Sequence, residues 1–279
     1  MMANDPLTIT VLDLDAALGG SADLLIGGGF GLYLKQLHLE KSVEKTLLPR
    51  SQWPRARTTQ DIDLFLRAKV VVDEAQMARY RAALDQLGFV VEPSAQWMKF
   101  ARDVDGRTVL IDLMVGPLGD LEAQVERRNV RVKPKGSSGL HARAADDAVE
   151  VEHDPFRLAV TDDHRSCEIL VPQAFSFSLM KLGALRDRIN DVNKDEGRHH
   201  ALDLYRIVAM LTEPEDSTAT VLAALHAENP VVVAARRVVD DLFVDARGLG
   251  RIRLREHPLC PKEANLDWFA AELGRLITR

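Results

Sequence analysis

The chain has 279 residues, 46% hydrophobic and 28% charged, with a formal net charge of -6. These values fit a globular protein of one large or two ordinary domains. They exclude a uniformly basic nucleic-acid coat, so any contact with RNA or DNA has to come from local patches.

Two cysteines, Cys167 and Cys260, are too few for a disulfide framework and point to a reduced, cytoplasmic setting. No apolar run approaches the ~20 residues of a membrane span. The N-terminal stretch carries Asp5, Asp13 and Asp15 and lacks the basic-then-apolar pattern of a signal peptide.

In chain order, residues 1–22 read as a short helical or extended lead-in. It holds an acid pair, Asp13 and Asp15, with a short helix starting at Ala16 and ended by Gly19-Gly20. Leu24 to Ile26 is a short buried strand, followed at once by Gly27-Gly28-Gly29. Phe30, Leu34 and Leu37 then fit one helix face. Strand, glycine turn and helix start can bring backbone N–H groups to a phosphate, but glycines also serve tight turns that bind nothing. Neither a dinucleotide fingerprint nor a P-loop stands here.

A polar connection over 40–57 carries Arg50, Arg55 and Arg57. The segment Arg57 to Leu66 follows, reading as an extended stretch entering the core. Asp61 and Asp63 stand at i and i+2, so a strand puts both carboxylates on one face and Ile62 and Leu64 on the other. Two such acids repel each other unless a cation lies between them. The economical explanation is a hard divalent ion held by oxygen ligands, Mg²⁺ first among them; the alternative is an edge strand with two solvated acids. Asp13 and Asp15 repeat the spacing without an upstream glycine turn.

Residues 74–87 form an amphipathic helix, with Asp73 and Gln76 resembling a capping box and Gly88 closing it. A strand starts at Phe89. The stretches 97–104 and 107–115 flank Asp105-Gly106, a strong hairpin signal. In the second arm Asp112 alone interrupts an apolar run. Such a carboxylate needs a partner. It is either a third metal ligand or general base, or a strand-end acid bonded to backbone or arginine.

Residues 127–143 contain six Lys or Arg and no acid, and read as a flexible basic loop: a phosphate clamp or a solvated surface. Short strands fill 149–171. From Pro172 the pattern turns helical: a helix over 174–189 with Lys181 mid-way, a polar loop to Gly197, a helix over 198–211 closed by Glu213-Pro214, and two or three more to the end. The layout is an α+β fold, an αβ domain over 1–171 followed by a helical domain over 172–279.

In order and spacing, Gly28-Gly29, Arg57-x-Thr59-x-Asp61-Ile62-Asp63, Ile111-Asp112, Lys181 and Asp203-Leu204-Tyr205 resemble the AbiEii/AbiGii-type nucleotidyltransferases. That family includes the MenT-like toxins of toxin–antitoxin systems and belongs to the DNA polymerase β-like superfamily. The resemblance covers roughly residues 20–212, and the Arg-x-Thr-x-Asp-x-Asp part is its most specific element.

The resemblance implies a nucleotidyltransferase-type mixed β-sheet flanked by helices. It implies transfer of a nucleoside monophosphate from an NTP to a hydroxyl acceptor. In this reading Asp61, Asp63 and Asp112 hold Mg²⁺, two ions in all. Gly28 and Gly29 pass close to the triphosphate, and Arg57 and Thr59 position the acid strand or touch phosphate. Lys181 neutralises triphosphate charge, and Asp203 matches an acid of the last motif. The acceptors implied are tRNA or another RNA, a small molecule or a protein, with a cognate antitoxin as partner.

The chain departs from the family where Gly28-Gly29 replaces a Gly-Ser. It departs again near the last motif, where His199 and His200 stand in place of a basic–acidic pair and Lys194-Asp195 lies further upstream. The matches of Arg188, Lys194 and Asp195 are therefore open. His199 and Asp203 share a helix face at i and i+4, a spacing that serves a metal or a simple hydrogen-bonded pair. Lys181 can equally be a snorkelling lysine at the edge of an apolar stripe. A non-catalytic module that keeps the nucleotide fold and acts through a partner protein is the alternative to an enzyme.

Overall fold

A mixed β-sheet of ten strands and its helices make up one of two units in this computed structural model, which describes residues 5–278 except 21–22, 58, 96 and 137–138. The first unit comprises Met1–Lys35, Thr58–Asp146 and Glu152–Pro172; the second comprises Gln36–Arg57, Asp147–Val151 and Gln173–Arg279. The chain changes unit at Pro172, but two earlier segments, 36–57 and 147–151, also belong to the helical one.

The strands are β1 (Leu24–Ile26), β2 (Asp61–Phe65), β3 (Val90–Val91), β4 (Lys99–Val104), β5 (Arg107–Val115), β6 (Val125–Arg128), β7 (Arg131–Pro134), β8 (Ala142–Ala144), β9 (Phe156–Thr161) and β10 (Ser166–Val171). Their main order is β6-β7-β8-β5-β2-β1-β10-β9, with β4 also on β5 and β3 on β4. β2 runs parallel to β5 and antiparallel to β1. Ile62, Leu64, Ile111, Leu113 and Val115 are almost wholly buried, each worth about 1.5–3 kcal/mol of apolar transfer. That burial fixes register, because a one-residue slip would turn these side chains to the opposite face and carry the acids inward.

Helix α1 (Pro6–Ala17) lies on β5, β9 and β10. It starts at Asp5, whose carboxylate accepts from the Thr8 N–H, with Pro6 in the first turn. Gly19 and Gly20, both at positive φ, follow its end. The helix is thus finishing at Ala16, where the sequence suggested a start. Helix α2 (Gly28–Lys41) begins in the first unit, and its residues from Gln36 belong to the second. The short α3 (Ala68–Val71) and α4 (Glu74–Gln86) complete the first unit's helices among the described residues. Asp73 caps α4 by accepting from the Ala75 and Gln76 N–H groups.

The basic stretch 127–143 is not a free loop. β6, β7 and β8 pair antiparallel within the sheet, with Val132 and Pro134 buried while Arg131 is exposed. Its charges are partly paired as well: Arg127 with Asp146 at 2.6 Å and Lys133 with Glu126 at 2.8 Å. Ser137 and Ser138 lie outside the described residues.

In the helical unit, α5 (Ala174–Arg188) and α6 (Lys194–Ala209) pack together. α6 starts four residues before the expected position. Asn193 accepts from the Asp195 N–H, and Asp195 and Glu196 suit the positive end of the helix, so Gly197 is carried inside. Glu213-Pro214 opens a helix rather than closing one: α7 (Glu213–Leu225) starts from a Thr212–Glu215 capping box. Then come α8 (Pro230–Val239), a π-helical turn (Asp240–Val244), α9 (Leu249–Glu256) and α10 (Leu266–Thr278), more than the two or three helices expected. Among the described residues, no single helix is long and apolar enough to cross a membrane.

Candidate metal centre

Asp61 and Asp63 sit on the half-buried face of β2, while Ile62 and Leu64 fill the core behind it. Asp112 lies on β5 directly opposite Asp63 in a parallel pairing, so both carboxylates share one face. Each of the three acids offers an oxygen within 4.8 Å of the others, and this is the one group of such residues able to hold a cation among the described residues. Carboxylates this close repel each other unless the charge is compensated.

Several neighbours shape the cluster. The Thr59 hydroxyl donates to Asp61 Oδ1 and orients it. The backbone N–H of Gly27 donates to the Asp63 carbonyl at 2.8 Å, tying the glycine corner to the acid strand. Gly28 has φ +61°, and a Cβ there would stand 1.7 Å from Asp63 Oδ2. Only glycine allows the chain to pass so near the carboxylate. Gly29 is buried in the first turn of α2.

Lys99, on β4, faces Asp112 across the hairpin, and its ammonium donates to Asp112 Oδ2 at 2.8 Å. The other oxygen, Asp112 Oδ1, is buried without a hydrogen-bond partner. A buried carboxylate oxygen left in that state is costly unless a cation meets it, so the donor set fits a hard, oxygen-seeking ion. Sequence reasoning missed Lys99, although a signal was present. Counting outward from the two-residue turn Asp105-Gly106, both at positive φ, puts Lys99 opposite Asp112.

The other acid pair takes no part in this cluster. Asp13 is held by Arg102 at 3.1 Å and by Arg165 at 2.7 Å.

The predicted residues of the helical unit form a second cluster. Asp203, fully buried on α6, accepts from Lys181 Nζ at 2.8 Å, Arg57 Nη2 at 3.0 Å and Arg206 Nη1 at 3.1 Å. Arg206 also donates to Gln36 Oε1 at 2.8 Å, and Gln36 in turn donates to the Pro54 carbonyl at 3.0 Å. Burial acts to raise the Asp203 pKa, but Lys181, Arg57 and Arg206 outweigh it and hold the carboxyl well below its usual range. Lys181 therefore does not snorkel: it is 6% exposed and tied to Asp203. Sequence reasoning missed Arg206 and Gln36.

His199 does not join Asp203. Its Nδ1 lies 3.0 Å from His257 Nε2, and the His257 Nδ1 accepts from the Leu259 N–H. His200 is pushed down to about 3 by burial and then by Lys181. His257 falls to about 4, by burial and then by His199. Arg188 pairs with Asp191 and Asp195 with Arg198, all four on exposed ground or near it. A cavity of about 540 Å³ in the same unit, lined by Gln52, Tyr205, Asn265 and Trp268 among others, includes none of the three clustered carboxylates.

Comparison with models of known protein families finds no match, and no curated protein matches the chain.

Proposed function

We propose that the chain is a Mg²⁺-dependent nucleotidyltransferase that moves a nucleoside monophosphate from an NTP to a hydroxyl acceptor. The single observation carrying the reading is the convergence of Asp61, Asp63 and Asp112 on one sheet face beside the Gly28 corner. When bound, Mg²⁺ supplies neutralisation of phosphate charge and lowers the pKa of the acceptor hydroxyl.

The chain's own residues supply the rest. Asp61 and Asp63 bind the ion, with Thr59 holding Asp61 in place. Gly28 keeps open the space against Asp63 that any side chain would fill. Asp112 would present Oδ1 to the ion as a third ligand. The acceptor oxygen bonds to the α-phosphorus as the bond to pyrophosphate breaks, and the hydroxyl proton leaves to water. Lys181 and Asp203 enter this proposal as a buried pair that ties α5 to α6. The resemblance in motif order to the AbiEii/AbiGii-type nucleotidyltransferases supports an RNA acceptor such as tRNA.

The test incubates the purified chain with [α-³²P]NTP, Mg²⁺ and total cellular RNA or protein. Labelled acceptor is expected with the wild type and not with Asp63→Ala. Labelling by Asp63→Ala at the wild-type rate would rule the mechanism out.

A further inference from the structure

Asp63, Asp112 and Lys99 stand side by side on β2, β5 and β4, each the register partner of the next. An ammonium therefore closes one end of an acidic row. We infer that Lys99 is a positioning residue that sets the charge, and hence the cation affinity, of the acidic site. This inference rests on the proposal that the three carboxylates hold a divalent ion.

Three carboxylates carry three negative charges. With Lys99 bonded to one of them the cluster is left at two, the charge of a single divalent ion. A second ion would then meet a site already neutral, so it has to arrive with a ligand of its own charge, as an NTP would bring. The hydrogen bond also has a direction. Lys99 occupies Oδ2, so Asp112 presents its unpartnered Oδ1 as the one oxygen left to ligate. The carboxylate is thereby held as a single-oxygen donor and cannot swing to grip an ion with both oxygens. The lysine is only partly buried and its partner more so, which leaves the pair close enough to water for metal exchange.

The experiment is a Mn²⁺ titration without nucleotide, followed by the electron paramagnetic resonance signal of the free ion. It compares the wild type with Lys99→Gln, which keeps a donor for Asp112 but no charge, and with Lys99→Arg, which keeps the charge. The wild type is expected to take one Mn²⁺. Removing one positive charge beside the ion is expected to tighten binding about tenfold in Lys99→Gln. Lys99→Arg should stay within about twofold of the wild type. Lys99→Met, with neither charge nor donor, supplies a second uncharged variant should Lys99→Gln fold poorly, and is expected to tighten binding as well.

If the wild type binds Mn²⁺ and the uncharged variants bind it equally or more weakly, the role of Lys99 is overturned while the metal site stands. If the wild type binds no Mn²⁺, the metal site itself is overturned and the role of Lys99 with it.

Discussion

The two charged clusters of this chain are opposites. On the sheet, three carboxylates cluster on half-buried ground with one lysine bonded to Asp112, whose other oxygen is left without a hydrogen-bond partner. In the helical unit, three cations share one carboxylate, which is completely buried and saturated with hydrogen bonds. The first arrangement can take a cation from outside. In the second, each cation is ion-paired to Asp203, and Arg206 also donates a hydrogen bond to Gln36, so its chemistry reads as architecture. The same residue types thus do different work, depending on whether their charges are met from within.

The comparison can be broken most sharply by removing an acid from each side. Asp63→Asn in the open cluster is expected to leave the fold standing, since it relieves like-charge repulsion, and to lower transferase activity by about a thousandfold or more. Circular dichroism and the labelling assay read both halves of that statement. Asp203→Asn in the closed cluster should do the reverse kind of damage. It leaves buried cations uncompensated and is expected to cost about 3–5 kcal/mol of stability in urea unfolding. A loss below about 1 kcal/mol would show that water reaches the cluster and that it is not closed.

Acid sharpens the contrast further. His200 is held neutral, pushed down to about 3, so the unfolded chain binds its proton more readily than the folded one. Its contribution to stability is therefore complete above the unfolded pKa of about 6.5 and is lost as pH falls toward 3, amounting to at most about 2 kcal/mol at pH 5. His257, lowered to about 4, acts in the same direction. His200→Gln should flatten the stability profile between pH 7 and pH 5, and an unchanged slope would mean that His200 is not the group responsible. Gly28→Ala is expected to touch both stability and ion binding. Its positive φ costs about 1–3 kcal/mol for a side chain, and the new methyl group would displace Asp63 and weaken divalent-ion binding.

What could be read from the sequence follows from how local the signals are. The alternation of Asp61 and Asp63 with Ile62 and Leu64 is visible in five residues, and the strand sits where that pattern puts it. The turn Asp105-Gly106 defines its hairpin just as locally, and Asp112 stands out because its neighbours are apolar. The stretch 127–143 misled because its charge count outweighed a short alternation: Val132 and Pro134 are the buried positions, and Arg131 and Lys133 between them hid the strand. The start of α6 was obscured by Gly197, a poor helix former that the Asn193 cap and two first-turn acids overcame. The buried cluster was least accessible. Lys181 is 22 residues from Asp203 and Arg57 is 146 away, and no local pattern joins residues so far apart.

The central claim is that Asp61, Asp63 and Asp112 share a divalent cation. Calorimetric titration of Mn²⁺ into the purified chain, wild type against Asp63→Asn, tests it most directly. A saturable binding isotherm in the wild type that disappears in Asp63→Asn is the result expected. An isotherm that survives the substitution unchanged would place the ion elsewhere and contradict the site.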